Sequence, residues 1–135
     1  MSYKQRMIDM AISIAADIYN VPEEELRKMG VRNKSIMEAR RIVIFYLNRF
    51  VGVKHNSMKH YIKGMHHATS IHHCNKMEFF LLYDPPTKET YDYFQSRMKG
   101  FDIRNEIIKD KQMQVVQLQA EINDYLKTQN NDKRI

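Results

Sequence analysis

The chain of 135 residues has no tryptophan, one cysteine, four glycines and three prolines. A lone thiol, Cys74, excludes an internal disulfide and suits a reducing compartment, so a cytoplasmic location (nucleoid or host cytoplasm) is expected. Gly30, Gly52, Gly64 and Gly100 are too scattered to form a phosphate-cradling loop, which argues against nucleotide binding of the P-loop kind. No apolar run approaches the length that spans a bilayer, and the opening MSYKQRMIDM holds no signal-peptide hydrophobic region. Alternating strand patterns are missing too, leaving an all-α expectation. Acid is scarce in one place above all: across residues 53–83 the one carboxylate is Glu78.

That acid-poor segment holds all six histidines together with Lys54, Lys59, Lys63 and Lys76. Four lysines against one glutamate give it a formal +3 with neutral histidines. Elsewhere, residues 1–52 carry nine Lys and Arg against six Asp and Glu, and residues 84–135 carry nine against nine. The net charge of +6 therefore resides in the first 83 residues, where a polyanion would bind. The C-terminal third is balanced, as suits a scaffold or a partner-binding part.

Helical spacing of Met7, Ile8, Ala11, Ile14, Ala15 and Ile18 predicts a first, core-facing helix over residues 3–19. Pro22 can open a short second helix, with Glu23, Glu24 and Glu25 at its positive start and Gly30 at its end. A basic loop follows, with Arg32 and Lys34 beside Arg27 and Lys28. Ser35 and Glu38 form a capping-box pattern ahead of a third helix expected to reach Phe50 or Val51. Ile36, Ala39, Val43, Tyr46, Leu47 and Phe50 would form its buried side, with Arg40, Arg41 and Arg49 pointing elsewhere.

Next come a short helix over residues 58–63, capped by Asn56 or Ser57, a turn at Gly64 and Met65, and a longer helix over 66–82. Two helices joined by a glycine turn are the pattern of a helix-turn-helix. By the 100° step, Ser70, Ile71, Cys74, Met77 and Leu81 face the core, and Thr69, His72, His73 and Lys76 face outward. Such a donor-bearing outer face in basic surroundings suits a major-groove reader, although polar helix faces are more commonly just solvated. Residues 84–86 should break the chain. Thr87 can cap a sixth helix over 88–99, and Gly100 marks a bend or a stop. From Phe101 to about Lys127 a last helix places Ile108, Val115 and Ile122 seven apart, with Lys111, Leu118 and Tyr125 between. That seam is about two heptads long with one polar flaw, so it serves either a homodimer or protein partner through residues 101–127, or folding back on the domain. The expected division is residues 1–83 for the binding domain and 84–135 for a helical extension.

Other chemistries fare poorly. His67 and Cys74, or His66 and His73, are separated along one helix by roughly 10 Å, too far to share a metal ion. Cys74 reads as a small buried thiol, and no nucleophile elbow or triad pattern accompanies Ser57, Ser70 or His72. No catalytic residue, metal or cofactor is expected. The aromatic group Phe79, Phe80, Tyr83, Tyr91, Tyr93 and Phe94 reads as packing between the fifth and sixth helices more readily than as a base-stacking platform.

Three stretches then carry a resemblance: YNVPEEEL (19–26), IMEARRI (36–42) after the basic loop, and GMHHATSIHHCNKM (64–77). Together they resemble the C-terminal DNA-binding domain of the bacterial replication initiator DnaA, over roughly residues 8–82. The third is similar to the family signature G-R-D-H-T-T-V-x-H-A-C-x-K-I, with Gly64, His67, Thr69, His72, Cys74 and Lys76 matching. The resemblance implies a Trp-repressor-like helical bundle with a helix-turn-helix, free-standing, without the family's ATPase module. It implies His67, Thr69, His72 and Lys76 as major-groove or phosphate contacts, and Arg32 with Lys34 as a minor-groove arm. His66 and His73 belong to the same candidate surface, and Arg27, Lys28, Lys59 and Lys63 are candidate backbone contacts. Met65 stands where the family has its base-reading arginine, His66 replaces its aspartate, Ala68 its first threonine and Ser70 its valine, so the bidentate guanine contact of an arginine is not available from residue 65. The expected partner is double-stranded DNA, and the resemblance implies a link to replication or its regulation. The alternative is a helical protein-interaction module that kept the scaffold and lost base readout. Six histidines further suggest binding that strengthens below roughly pH 6.5.

Overall fold

Among the residues described by a computed structural model, 2–30 and 33–133, the chain is all-α. Helix α1 spans Tyr3–Tyr19, with the Ser2 hydroxyl accepting from the Gln5 amide as its cap. Helix α2 is a single turn, Glu23–Leu26, ending before Gly30 because residues 27–29 leave the helix to pair elsewhere. Helix α3 spans Lys34–Tyr46. Its cap is Asn33, whose carbonyl oxygen accepts from the Ser35 and Ile36 amides, so Ser35 lies inside the helix and does not cap it. The helix stops short of Phe50: a π turn, Leu47–Val51, closes it, ended by Gly52 at φ 85°.

Helix α3 is the strut of the core. Every residue from 39 to 47 is buried, including Arg40 at 2 % and Arg41 at 7 % exposure. The sequence places these arginines away from the apolar stripe, but α3 has no solvent side for them, since α1, α2 and α4 pack around it. Arg40 Nη2 donates to the carbonyls of Glu25 and Lys28, each at 2.6 Å. Phe50, expected inside, is 61 % exposed because the π turn rotates it off the core side.

A 3-10 turn, His55–His60, stands where the short α-helix was expected, preceded by Lys54 with no side-chain cap. Helix α4 spans His67–Tyr83, with His66 as its cap. Between them the chain turns at Gly64, φ +84°. Helix α5 spans Pro85–Lys133 and passes through Gly100 without a stop. Asp84, not Thr87, precedes its first turn: its carbonyl accepts from the Lys88 amide, and its carboxylate accepts from the Thr87 hydroxyl.

Two compact units result, Met1–Met98 and Lys99–Ile135. The division falls after Met98 and not after residue 83, because Tyr91, Phe94 and Met98 are core residues of the first unit. Tyr91 meets the Phe45 ring edge-on at 5.4 Å and Phe94 meets Tyr46 at 5.2 Å. The aromatic packing thus runs from α5 to α3, while Phe79, Tyr83 and Tyr93 are exposed. No helix among the described residues is long and apolar enough to cross a membrane.

Candidate nucleic-acid interface

The turn before α4 sets the geometry. Lys63 pairs its backbone with the chain leaving α2: its amide donates to the Arg27 carbonyl at 2.7 Å, and its carbonyl accepts from the Met29 amide at 2.8 Å. This short parallel bridge joins the basic residues Arg27, Lys28 and Lys63. Gly64 can then turn at positive φ, where a Cβ would lie 3.4 Å from Met29 Cβ. His55 Nδ1 bonds Ser70 Oγ at 2.8 Å, tying the 3-10 turn to α4 through a fully buried hydroxyl. Burial lowers the His55 pKa, helped by the nearby charges of Arg49 and His67.

Across the face of α4, Thr69 is half-buried, and His67, His72 and Lys76 are exposed. His66 is exposed as well but works as the cap, its Nδ1 accepting from the Ala68 amide at 3.2 Å, with its ring 4.5 Å from that of His67. His73 departs from the outward face expected of it. It is 6 % exposed, and its Nδ1 accepts from Arg41 Nε at 3.3 Å. Desolvation, then Arg41, His72, Arg40 and Lys76, lower its pKa to about 4. An imidazole that must present a lone pair to a guanidinium stays neutral. So His73 is a core histidine, and the expectation that all six histidines add charge near pH 6 does not extend to it. Ile71 is the converse case, expected inward and 40 % exposed.

Cys74 is buried, and desolvation raises its pKa to about 11, consistent with an inert thiol. Met65 is also buried, at 4 %. The residue that the resemblance sets against a base-reading arginine is therefore a core residue in this chain.

Lys34, at the start of α3, shares a concavity of about 630 Å³ with Thr69, His72 and Lys76 of α4. Arg40 and Arg41 form part of its floor. Burial lowers the pKa of both guanidiniums, offset by Glu25 at Arg40 and by Glu38 at Arg41, and arginine remains charged over any physiological pH. Among the described lining residues none is acidic. A cationic hollow edged by an exposed helix face can hold phosphate oxygens against fixed charge and offer donors to base edges.

The remaining candidates are less concentrated. Lys59 and Lys63 are exposed. Arg27 is engaged with Asp9 at 3.3 Å and lies 4.0 Å from Glu23, and Lys28 is 3.6 Å from Glu25. Lys34 is 4.0 Å from Glu38 and 86 % exposed in its side chain. Arg32 lies outside the described residues. The arginines under the hollow were missed in the sequence, although the run IVIFYL directly after them, with no polar residue, marks a helix lacking a solvent side. No cluster of His, Cys, Asp or Glu among the described residues could hold a metal ion. No family model matches the chain, and no curated protein sequence matches it.

Proposed function

We propose that the chain is a sequence-preferring double-stranded DNA-binding protein of the Trp-repressor-like, DnaA-C-terminal type, with α4 in the major groove and the basic loop before α3 toward the minor groove. The observation that carries this reading is the shared concavity. Lys34 and the group Thr69, His72 and Lys76, far apart in sequence, border one hollow floored by two arginines and lined by no described acid. Within it, Lys76 and Lys34 act on the phosphate backbone and supply affinity, while Thr69 and His72, with the exposed His67 outside the hollow at the start of α4, present donors and acceptors to base edges. A link to replication or its regulation rests on the resemblance alone.

The test is a fluorescence-anisotropy titration of a random duplex library at two salt concentrations, with sequencing of the retained fraction. Salt-sensitive binding with an enriched motif is expected. Lys76→Ala should weaken binding to every sequence and reduce the salt slope by about 1, whereas His67→Ala or Thr69→Ala should erode the preference between sequences. If none of these changes alters DNA affinity, α4 is not the reading helix. An absence of binding at low salt would instead favour the protein-interaction reading, which the exposed apolar residues of the second unit support.

A further inference from the structure

The second unit carries an uncovered stripe. Ile107, Ile108, Val115, Leu118, Ile122, Tyr125 and Leu126 are each 52 to 65 % exposed. At 100° per residue these seven side chains and Lys111 fall within an arc of about 100°. Met113 and Val116, also exposed, fall outside it. Gln112 and Gln119 border the stripe on one side, and Gln114 and Glu121 on the other.

We propose that this stripe is the interface of an antiparallel homodimer, its occupant being the same stripe of a second copy of this chain. Charge decides the direction. A parallel, in-register pair would set Lys111 against Lys111 in a core layer, two like charges facing one another. The antiparallel alignment that overlaps the whole stripe sets Ile107 opposite Leu126, Ile108 opposite Tyr125, Val115 opposite Leu118 and Lys111 opposite Ile122. Lys111 then lies one residue from the level of Glu121 of the second copy, on the same edge of the seam. Neither residue is ion-paired within the described chain, and the two-fold axis makes the new pair twice. The single cation inside the stripe thus meets the single carboxylate on its border.

The extent is also adequate. Seven apolar side chains at about 100 Å² apiece approach the roughly 800 Å² per partner of a standard stable interface. Apart from Glu121 the bordering positions are glutamines, so no bordering charge repels a second copy. This assembly does not depend on DNA binding, because it is measured in DNA's absence.

Sedimentation equilibrium of the full chain without DNA tests it. A concentration-dependent monomer–dimer equilibrium is expected, lost in Leu118→Asp. Lys111→Glu or Glu121→Lys alone should weaken the dimer about tenfold, and the double charge swap should restore it. Oxidation of Ile108→Cys should give no homodisulfide, since its two copies stand roughly 25 Å apart in the antiparallel pair, whereas Ile108→Cys mixed with Tyr125→Cys should cross-link. A chain that stays monomeric to about 0.1 mM overturns the proposal. So does an Ile108→Cys homodisulfide, the mark of a parallel pair, or a double swap no better than Lys111→Glu alone.

Discussion

Acidification should destabilise the first unit through His73. Its imidazole accepts from Arg41 and is surrounded by positive groups, Arg41, His72, Arg40 and Lys76, so its folded pKa falls to about 4 from an ordinary value near 6.5. Below pH 6.5 the unfolded chain takes up a proton that the folded chain refuses. The stability tied to the neutral ring is therefore complete above pH 6.5 and is lost as pH falls toward 4. At about 1.4 kcal/mol per pH unit the full loss is about 3 kcal/mol, of which about 2 kcal/mol appears between pH 7.5 and 5. His73→Gln removes the titration and keeps an oxygen to accept from Arg41 Nε. Urea unfolding followed by tyrosine fluorescence at both pH values, at fixed ionic strength and protein concentration, gives the comparison. The native protein should lose about 2 kcal/mol more than the variant on acidification. Equal losses would refute the reasoning, whatever the variant's stability at neutral pH.

Three further outcomes follow from packing. Gly64→Ala should cost about 1 to 3 kcal/mol, because alanine at φ +84° is strained; an unchanged urea midpoint would contradict that. Met65→Arg should destabilise by about 3 kcal/mol or more by placing a guanidinium in the core, and gain no guanine preference, as duplex selection with the variant would show. Arg40→Met should cost about 2 to 4 kcal/mol by freeing the carbonyls of Glu25 and Lys28, with hydrogen exchange rising first over residues 25–29.

Helix α1 was legible to the residue, since its apolar spacing and its ends are both local signals. The glycine turn and the start of α4 were legible within one residue for the same reason. What escaped were features decided by neighbours. Ser35 and Asn33 can both cap a helix, and which one does depends on where the preceding chain enters. His73 and Ile71 exchanged sides because α4 packs with a rotation that its own periodicity does not specify, and a buried arginine was there to occupy the lone pair of His73. Arg40 and Arg41 sit in the stretch of α3, residues 39–47, that its neighbours bury, a fact about α1, α2 and α4 more than about α3. The boundary after Met98 was missed because Tyr91 and Phe94 find their partners on a helix some fifty residues earlier, which no local pattern announces.

The pairing of Lys63 with Arg27 and Met29 is made by backbone atoms alone. Such bonds need only N–H groups at 29 and 63 and carbonyls at 27 and 63, so they survive a change of side chain at 27, 28 or 63, even though Arg27 is paired with Asp9 and Lys28 with Glu25. Backbone geometry and surface charge are thereby inherited separately. A lineage carrying this scaffold can rewrite the surface charges around the turn one substitution at a time, without rebuilding the backbone that sets where α4 begins.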